Sequence, residues 1–277
     1  RYTIQAKQQS GKQFRIVEIH KFQPKDIIKN LKLGYDPSLF TEKNLNYNFG
    51  NSLKLISIEN NLVDEIYKSK VTKRKLFYSL GIDSVGENHL SKINKICNTL
   101  KLKKADYLFV SSPENVAWLM NIRGYDNPNS PIPNCRLLIN KNKNFFLLVE
   151  KKVSIKIVKE KKFRKDQIID PKDFRNFIKK LHGNKFIIDA QSCSVLNEKI
   201  IRSKFKIIDK EDPCYKFKSI KNSIEIKNTI NAHIEDGLAL TRFIYWLKNI
   251  NKKKITEIEA KNKLQKFRKL NKNYLYP

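Results

Sequence analysis

Asp106-Tyr-Leu-Phe-Val-Ser111 leads directly into Ser112-Pro-Glu-Asn-Val-Ala-Trp-Leu-Met-Asn-Ile-Arg-Gly124. The first part reads as a strand. Pro113 then opens a short helix at its first turn, where the missing N–H costs nothing. The alternation continues downstream. Arg136–Ile139 and Asn144–Glu150 read as a hairpin, Gln167–Ile169 as a strand, and Pro171–Leu181 as a helix ended by Gly183. Lys185–Asp189 is a strand, Val195–Ser203 a helix and Phe205–Asp209 a strand. Strands and helices in this order predict an α/β fold, a mixed sheet with flanking helices.

Upstream, Leu90, Ile93, Ile96 or Cys97, and Leu100 recur at helical spacing over residues 87–102. The polar, weakly periodic stretch 68–87 before it reads as a linker. Further back, residues 1–7 and 14–19 read as short strands, and Pro24–Leu31 as a helical turn. Leu33–Pro37 reads as a tight corner and Lys54–Ile58 as another strand, followed by Asn61–Tyr67. Asp212-Pro213 ends the α/β pattern. Ser223 is then the expected N-cap of a helix running to about Asn249. Ile226, Ile230, Ile234 or His233, Ala239 or Leu240, Phe243, and Trp246 or Leu247 give it one apolar face. Thr256-Glu-Ile-Glu259 is a capping box for a second helix. Both helices read as amphipathic covers of a sheet expected past residue 277.

The chain has 277 residues, Lys+Arg 57 and Asp+Glu 27, for a net charge of +30. A pI near 9.9 is the electrostatic footprint of many nucleic-acid binders. The distribution argues otherwise. There are 47 Lys against 10 Arg and 29 Asn, with Ile at most β-branched apolar positions. All three share A/T-rich codons, so base composition accounts for the bias. Lysine is also spread evenly, without an Arg block or aromatic stacking platform. No specific nucleic-acid partner is expected, only weak, salt-sensitive adhesion to polyanions.

Other function classes fall away on motif grounds. The 8 glycines never form G-x-G-x-x-G, and no G-K-[ST] is present. The longest uninterrupted apolar runs, such as Phe145–Val149, are far below the ~18 residues of a bilayer span. No membrane partner is expected, and no secretory leader is evident. Cys97, Cys135, Cys193 and Cys214 are too widely spaced for a zinc site and read as reduced, buried thiols. His233 and Asp236 lie one helical turn apart. They could share a metal, but no third ligand is near in sequence, and a polar helix face is the favoured reading.

Several ordered blocks carry a more specific signal. They are Arg1-Tyr2 with Gln5-Ala6, Gly34-Tyr-Asp-Pro37, Asn61-Leu-Val-Asp-Glu-Ile-Tyr67, and Ala117-Trp-Leu-Met-Asn-Ile-Arg-Gly-Tyr-Asp126 with Pro131-Ile-Pro133. Asp212-Pro213, Lys218-Ser-Ile-Lys-Asn222, Ala232–Leu240, Trp246-Leu247 and Thr256-Glu-Ile258 follow. Together they resemble the three-domain Xaa-Pro aminopeptidases (aminopeptidase P) of the creatinase/prolidase, or pita-bread metallopeptidase, group. Tyr67 stands where that family has Trp, with no Arg-Pro after it, and Ser219 where it has Ala.

The resemblance implies duplicated creatinase-type N-terminal domains, then the first helices of a pita-bread α+β domain. On this reading residues 1–70 are the C-terminal part of the first domain, 71–212 the second, and 213–277 the start of the third. It also implies a cytoplasmic, homodimeric enzyme that removes the residue preceding proline from peptides, using two divalent ions, usually manganese. The family's ligands, two Asp, one His and two Glu, match no residue of this chain. No catalytic, cofactor-binding or metal-binding residue is therefore assigned. Arg123, before Gly124, is given a helix-capping role ahead of a substrate role. The chain reads as an inactive fragment: residue 1 is Arg, the sole methionine is Met120, and Tyr274-Leu-Tyr-Pro277 follows a helical stretch directly. The rival reading is a non-catalytic pita-bread relative that binds peptides or proteins.

Overall fold

The computed structural model describes residues 2–18, 21–28, 30–50, 53–67, 75–250 and 254–275. The first portion holds α1 (Thr3–Gln9), α2 (Pro24–Ile27), β1 (Lys32–Tyr35), α3 (Glu42–Phe49), β2 (Lys54–Ser57) and α4 (Leu62–Ile66). Next come β3 (Tyr78–Ser79), α5 (Ile82–Val85), α6 (His89–Leu102), β4 (Tyr107–Val110), α7 (Pro113–Met120) and β5 (Ile122–Arg123). The sheet region continues with β6 (Arg136–Asn140), β7 (Phe145–Leu148), α8 (Lys151–Lys159), β8 (Ile168–Ile169) and α9 (Phe174–Lys180). After β9 (Lys185–Ile188), α10 (Val195–Arg202) and β10 (Lys206–Asp209), the chain ends in α11 (Cys214–Ser219), α12 (Ser223–Lys248) and α13 (Glu257–Arg268).

Six strands form one mixed sheet in the order β10-β9-β4-β6-β7-β8. β4 is parallel to β9 and antiparallel to β6, and β6 and β7 form the expected hairpin. The two-residue period of the strands divides the core into two layers. Leu108 and Val110 of β4, Leu137 and Ile139 of β6, and Ile187 of β9 pack on one face with Ile93, Ile96 and Leu100 of α6. Tyr107, Phe109, Leu138, Phe186 and Ile188 pack on the other with Phe174, Ile178 and Ile201. Strands covered on both faces must be apolar throughout, which is why β4 shows no alternation.

The N-terminal expectations need correction. Residues 3–9 form a helix, not a strand; Gln, Ala and Lys are good helix formers, and no strand among the described residues pairs with them. Residues 14–18 form no strand either, and residue 19 lies outside the described residues. Leu33–Tyr35 belongs to a strand rather than a corner, because β1 finds a parallel partner in β2, Gly34 opposite Ile56. Helix α8 was not anticipated; its lysines hide an apolar pair, Val153 and Ile157, at i,i+4 spacing.

Of the expected linker, 68–74 lies outside the described residues, and the rest packs. Phe77 is fully buried, and Tyr78 and Ser79 pair with Arg123 and Ile122. Helix α12 begins one residue earlier than expected, with Asn222 rather than Ser223 as the N-cap, in a capping box with Glu225. Its apolar face is open: among its buried residues only Ala239 counts, while Ile226, Ile230 and Ile234 are exposed. Thr256 caps α13 as expected. All four cysteines are free and buried.

At the start of α6, His89 packs edge-on against Phe145, and its Nδ1 lies 3.3 Å from Lys162 Nζ. Burial, then repulsion from Lys162 and Lys92, lowers its pKa from 6.5 to about 4. The unfolded chain therefore binds the extra proton first, so stability is full above pH 6.5 and falls towards pH 4. With the ring only half-buried, the loss is expected to be about 1–2 kcal/mol. His89→Gln should remove this slope from denaturant-derived stabilities. An unchanged slope in the variant would place its origin elsewhere.

Candidate functional site

The polar residues of the core gather where the parallel strands β4 and β9 end. Ser111 and Ser112 follow β4 and Asp189 follows β9, so the sheet delivers them to one edge. The Ser111 and Ser192 hydroxyls are 2.6 Å apart, and Ser112 shares a 2.7 Å hydrogen bond with the Tyr215 hydroxyl. Asn115, fully buried in α7, donates through Nδ2 to Asp212 Oδ2 at 2.8 Å and accepts from Lys218 Nζ at 2.6 Å. Asp212 Oδ1 accepts from the Cys214 amide, while the Asp212 amide donates to Asp189 Oδ2 at 3.0 Å. The segment leaving the sheet is thus clamped by side chains from α7 and both strand ends.

Ionisation fits a joint rather than a reactive centre. Burial raises the Asp212 pKa, against the lowering effect of its hydrogen bonds to Cys214 and Asn115. Burial likewise pushes the Cys193 and Cys214 thiols up, away from the thiolate a nucleophile needs. Nothing in the cluster pairs a hydroxyl with a histidine base.

A second contact holds the start of α12. Asn222 donates to the Val85 carbonyl at 2.8 Å, and Asn228 reaches the Asp83 and Ser84 carbonyls. Gly86, at φ +69°, faces Asn222 so closely that an added Cβ would lie 2.3 Å from its Oδ1. Only glycine suits both the backbone and the gap. Nearby, Lys92 is 1% exposed and donates to the Trp118 carbonyl and Asn121 Oδ1, with Nζ 4.3 Å from the centre of the Trp118 ring. Burial lowers its pKa to about 8. Lys92, Trp118, Phe217, Asn222 and Glu225 line a cleft of about 400 Å³ between α6–α7 and α11–α12.

The residues singled out by sequence fall into place around this joint. Leu119 and Ile122 are core, and Trp118 is half-buried at the cleft. Arg123 does satisfy a helix end, donating to the Ala117 carbonyl at 3.0 Å. The cap residue itself is Asn121, in the left-handed region at φ 52°, not Gly124. Gly124 instead permits close packing: a Cβ there would meet Pro133 Cα at 2.8 Å. Asp236 is held by Arg268 of α13 through two bonds, 2.6 and 3.0 Å, which also lowers its pKa. It joins the two last helices, in keeping with the polar-face reading. Among the described residues, no group of three His, Cys, Asp or Glu side chains could hold a metal ion. No described helix is long and apolar enough to cross a membrane. Sequence reading missed Lys92 and the Asn115–Asp212 pair, for which Asp212-Pro213 as a pattern break was the only signal.

Residues 68–225, more than half of the chain, match the creatinase/prolidase N-terminal domain, and the chain belongs to that family. The Xaa-Pro aminopeptidase ApepP of Drosophila melanogaster is 29% identical over 80% of this chain and 37% of its own length. A probable Xaa-Pro aminopeptidase P of Talaromyces marneffei is 30% identical over 85% of this chain and 38% of its own. Among solved structures, the X-prolyl aminopeptidase of Caenorhabditis elegans, described as a cytosolic enzyme with a di-nuclear active site, superposes with a TM-score of 0.76. That match covers 90% of this chain and 42% of the other at 23% identity, and speaks for the fold. The chain spans about two fifths of the length of these relatives.

Proposed function

We propose that this chain is the N-terminal portion of a metal-dependent Xaa-Pro aminopeptidase, acting on peptides with proline second. The observation that carries the reading is identity to Xaa-Pro aminopeptidases running through the sheet domain and on past the joint. In this reading, residues 1–70 are part of a first creatinase-like domain, 71–212 a second, and 213–277 the opening of the peptidase domain. An internal resemblance supports the duplication. β1–α3–β2 and β9–α10–β10 are both parallel strand pairs around a helix. Their helices are capped by Thr41 and Ser194, which form an antiparallel bridge with each other.

The parent's two divalent ions, manganese in this reading, would polarise the scissile carbonyl and supply a bound hydroxide. The described residues do not fit such a centre, since Asp236 is committed to Arg268 and no ligand group is assembled. We assign the ions to the remainder of the parent and leave this chain without activity of its own. Its part is architectural: the joint fixes how α12 leaves the sheet domain. A cytoplasmic homodimer is the assembly we propose.

The test pairs the 277-residue chain with its full-length parent on an Xaa-Pro-Xaa tripeptide, with manganese and then with chelator. Turnover by the parent, abolished by chelator, with none from the chain, is the expected outcome. Chelator-sensitive turnover by the chain alone would refute the placement of the metal centre. A metal-loaded parent that binds the peptide without cleaving it would favour the non-catalytic relative.

A further inference from the structure

The lysines of helix α8 differ in their partners. Lys152 pairs with Glu150 at 2.8 Å, and Lys156 lies 3.9 Å from Glu160. Lys151 and Lys159 instead line a cleft of about 510 Å³ together with Lys165, beside β8. None of these three ammonium groups makes an ion pair or hydrogen bond through its side chain among the described residues. The floor between them is aliphatic, formed by Ile155, Val158 and Ile168. Ile155 is 47% exposed, although it stands on a helix whose Val153 and Ile157 are completely buried. Three cations without an ion-pair partner among the described residues thus border exposed hydrocarbon, a combination that suits a ligand both anionic and partly apolar.

We propose that this cleft binds an acidic peptide segment that places one aliphatic side chain on Ile155 and Val158 and carboxylates against Lys151, Lys159 and Lys165. The observations select this partner over the other polyanions. A nucleic acid needs aromatic or arginine platforms for its bases, and this floor is aliphatic. A lipid surface needs a broad apolar face, but α8 spends Val153 and Ile157 on the core and offers little beyond Ile155. A second copy of the chain, with Asp+Glu 27 against Lys+Arg 57, is a poor source of the clustered carboxylates this cleft would need. Strand addition at β8 is blocked as well. That edge strand has two residues, and Pro171 follows closely. Recognition therefore runs through side chains, an apolar anchor with carboxylates as its rim.

The experiment uses fluorescence anisotropy at physiological salt, with a labelled peptide of one leucine flanked by glutamates. Comparison probes are the same peptide with serine for leucine, a single-stranded oligonucleotide, and phosphatidylserine vesicles. Lys151, Lys159 and Lys165 are solvent-exposed, so the triple Lys→Glu variant should fold normally. It is expected to weaken leucine-peptide binding by about tenfold or more, with Ile155→Ser weakening it about threefold. Lys7→Glu, Lys199→Glu and Lys227→Glu, made together, change total charge equally and should alter binding less than about threefold. Equal loss in both triple variants would reduce the effect to overall charge and overturn the site. So would a serine peptide that binds as well as the leucine peptide, or no saturable peptide binding at all. Tighter binding of oligonucleotide or vesicle, lost in the cleft variant, would transfer the cleft to that partner and overturn the peptide assignment.

Discussion

Truncating Phe77 to alanine is expected to cost about 3–5 kcal/mol, as for other large aromatic deletions in a packed core. Phe77 is fully buried, and its amide donates to the Val153 carbonyl at 2.9 Å. Its ring also fills the space that Gly124 leaves open, since a Cβ at 124 would come within 3.1 Å of it. Interiors packed this tightly relax only partly around a deletion, so the lost transfer energy is joined by a cavity cost. The effect should appear as a lower urea midpoint without a change in slope. Limited proteolysis should give a second sign: residues 75–87, expected to be protected in the unsubstituted chain, become a cleavage site in the variant. A loss under about 1 kcal/mol would return this stretch to the linker that its polar sequence suggests.

The contrast shows which physics a single sequence exposes. The start of α12, the capping box at Thr256–Glu259 and the β6–β7 hairpin depend on residues only a few positions apart. These are legible to within two residues. The six-stranded core was legible too, because burial on both faces leaves an apolar strand wherever it occurs. What failed needed a distant partner. β1 is a strand only because β2, some twenty residues later, lies beside it, and Phe77 is core only through Val153 and Gly124. The joint was the least visible part. Its key bond joins residues 97 apart, and neither Asn115 nor Asp212 has a local pattern that marks it as buried.

That bond leads to the other large effect. Asn115→Leu keeps the volume but removes both the donor to Asp212 and the acceptor from Lys218. Asp212 is 1% exposed, so its carboxylate cannot recover the lost bond from water. Leaving a buried charged group short of a partner is expected to cost about 3 kcal/mol near neutral pH. The pH dependence separates this cause from simple misfit. Burial raises the Asp212 pKa, and the Asn115 bond is one of the effects holding it down, so the variant raises it further. A carboxyl with a raised folded pKa favours the folded state most when protonated, and that contribution is lost as pH rises through the folded pKa. The deficit of the variant should therefore shrink as pH falls towards the carboxylate range, where Asp212 takes up a proton. Adding Asp212→Leu should cost less than the two single changes summed, because the stranded charge is then gone. A deficit that is flat with pH, together with additive single changes, would mean that Asn115 acts by shape alone. The clamp on the segment leading to α12 would then have to rest on Asp189, Ser112 and Tyr215.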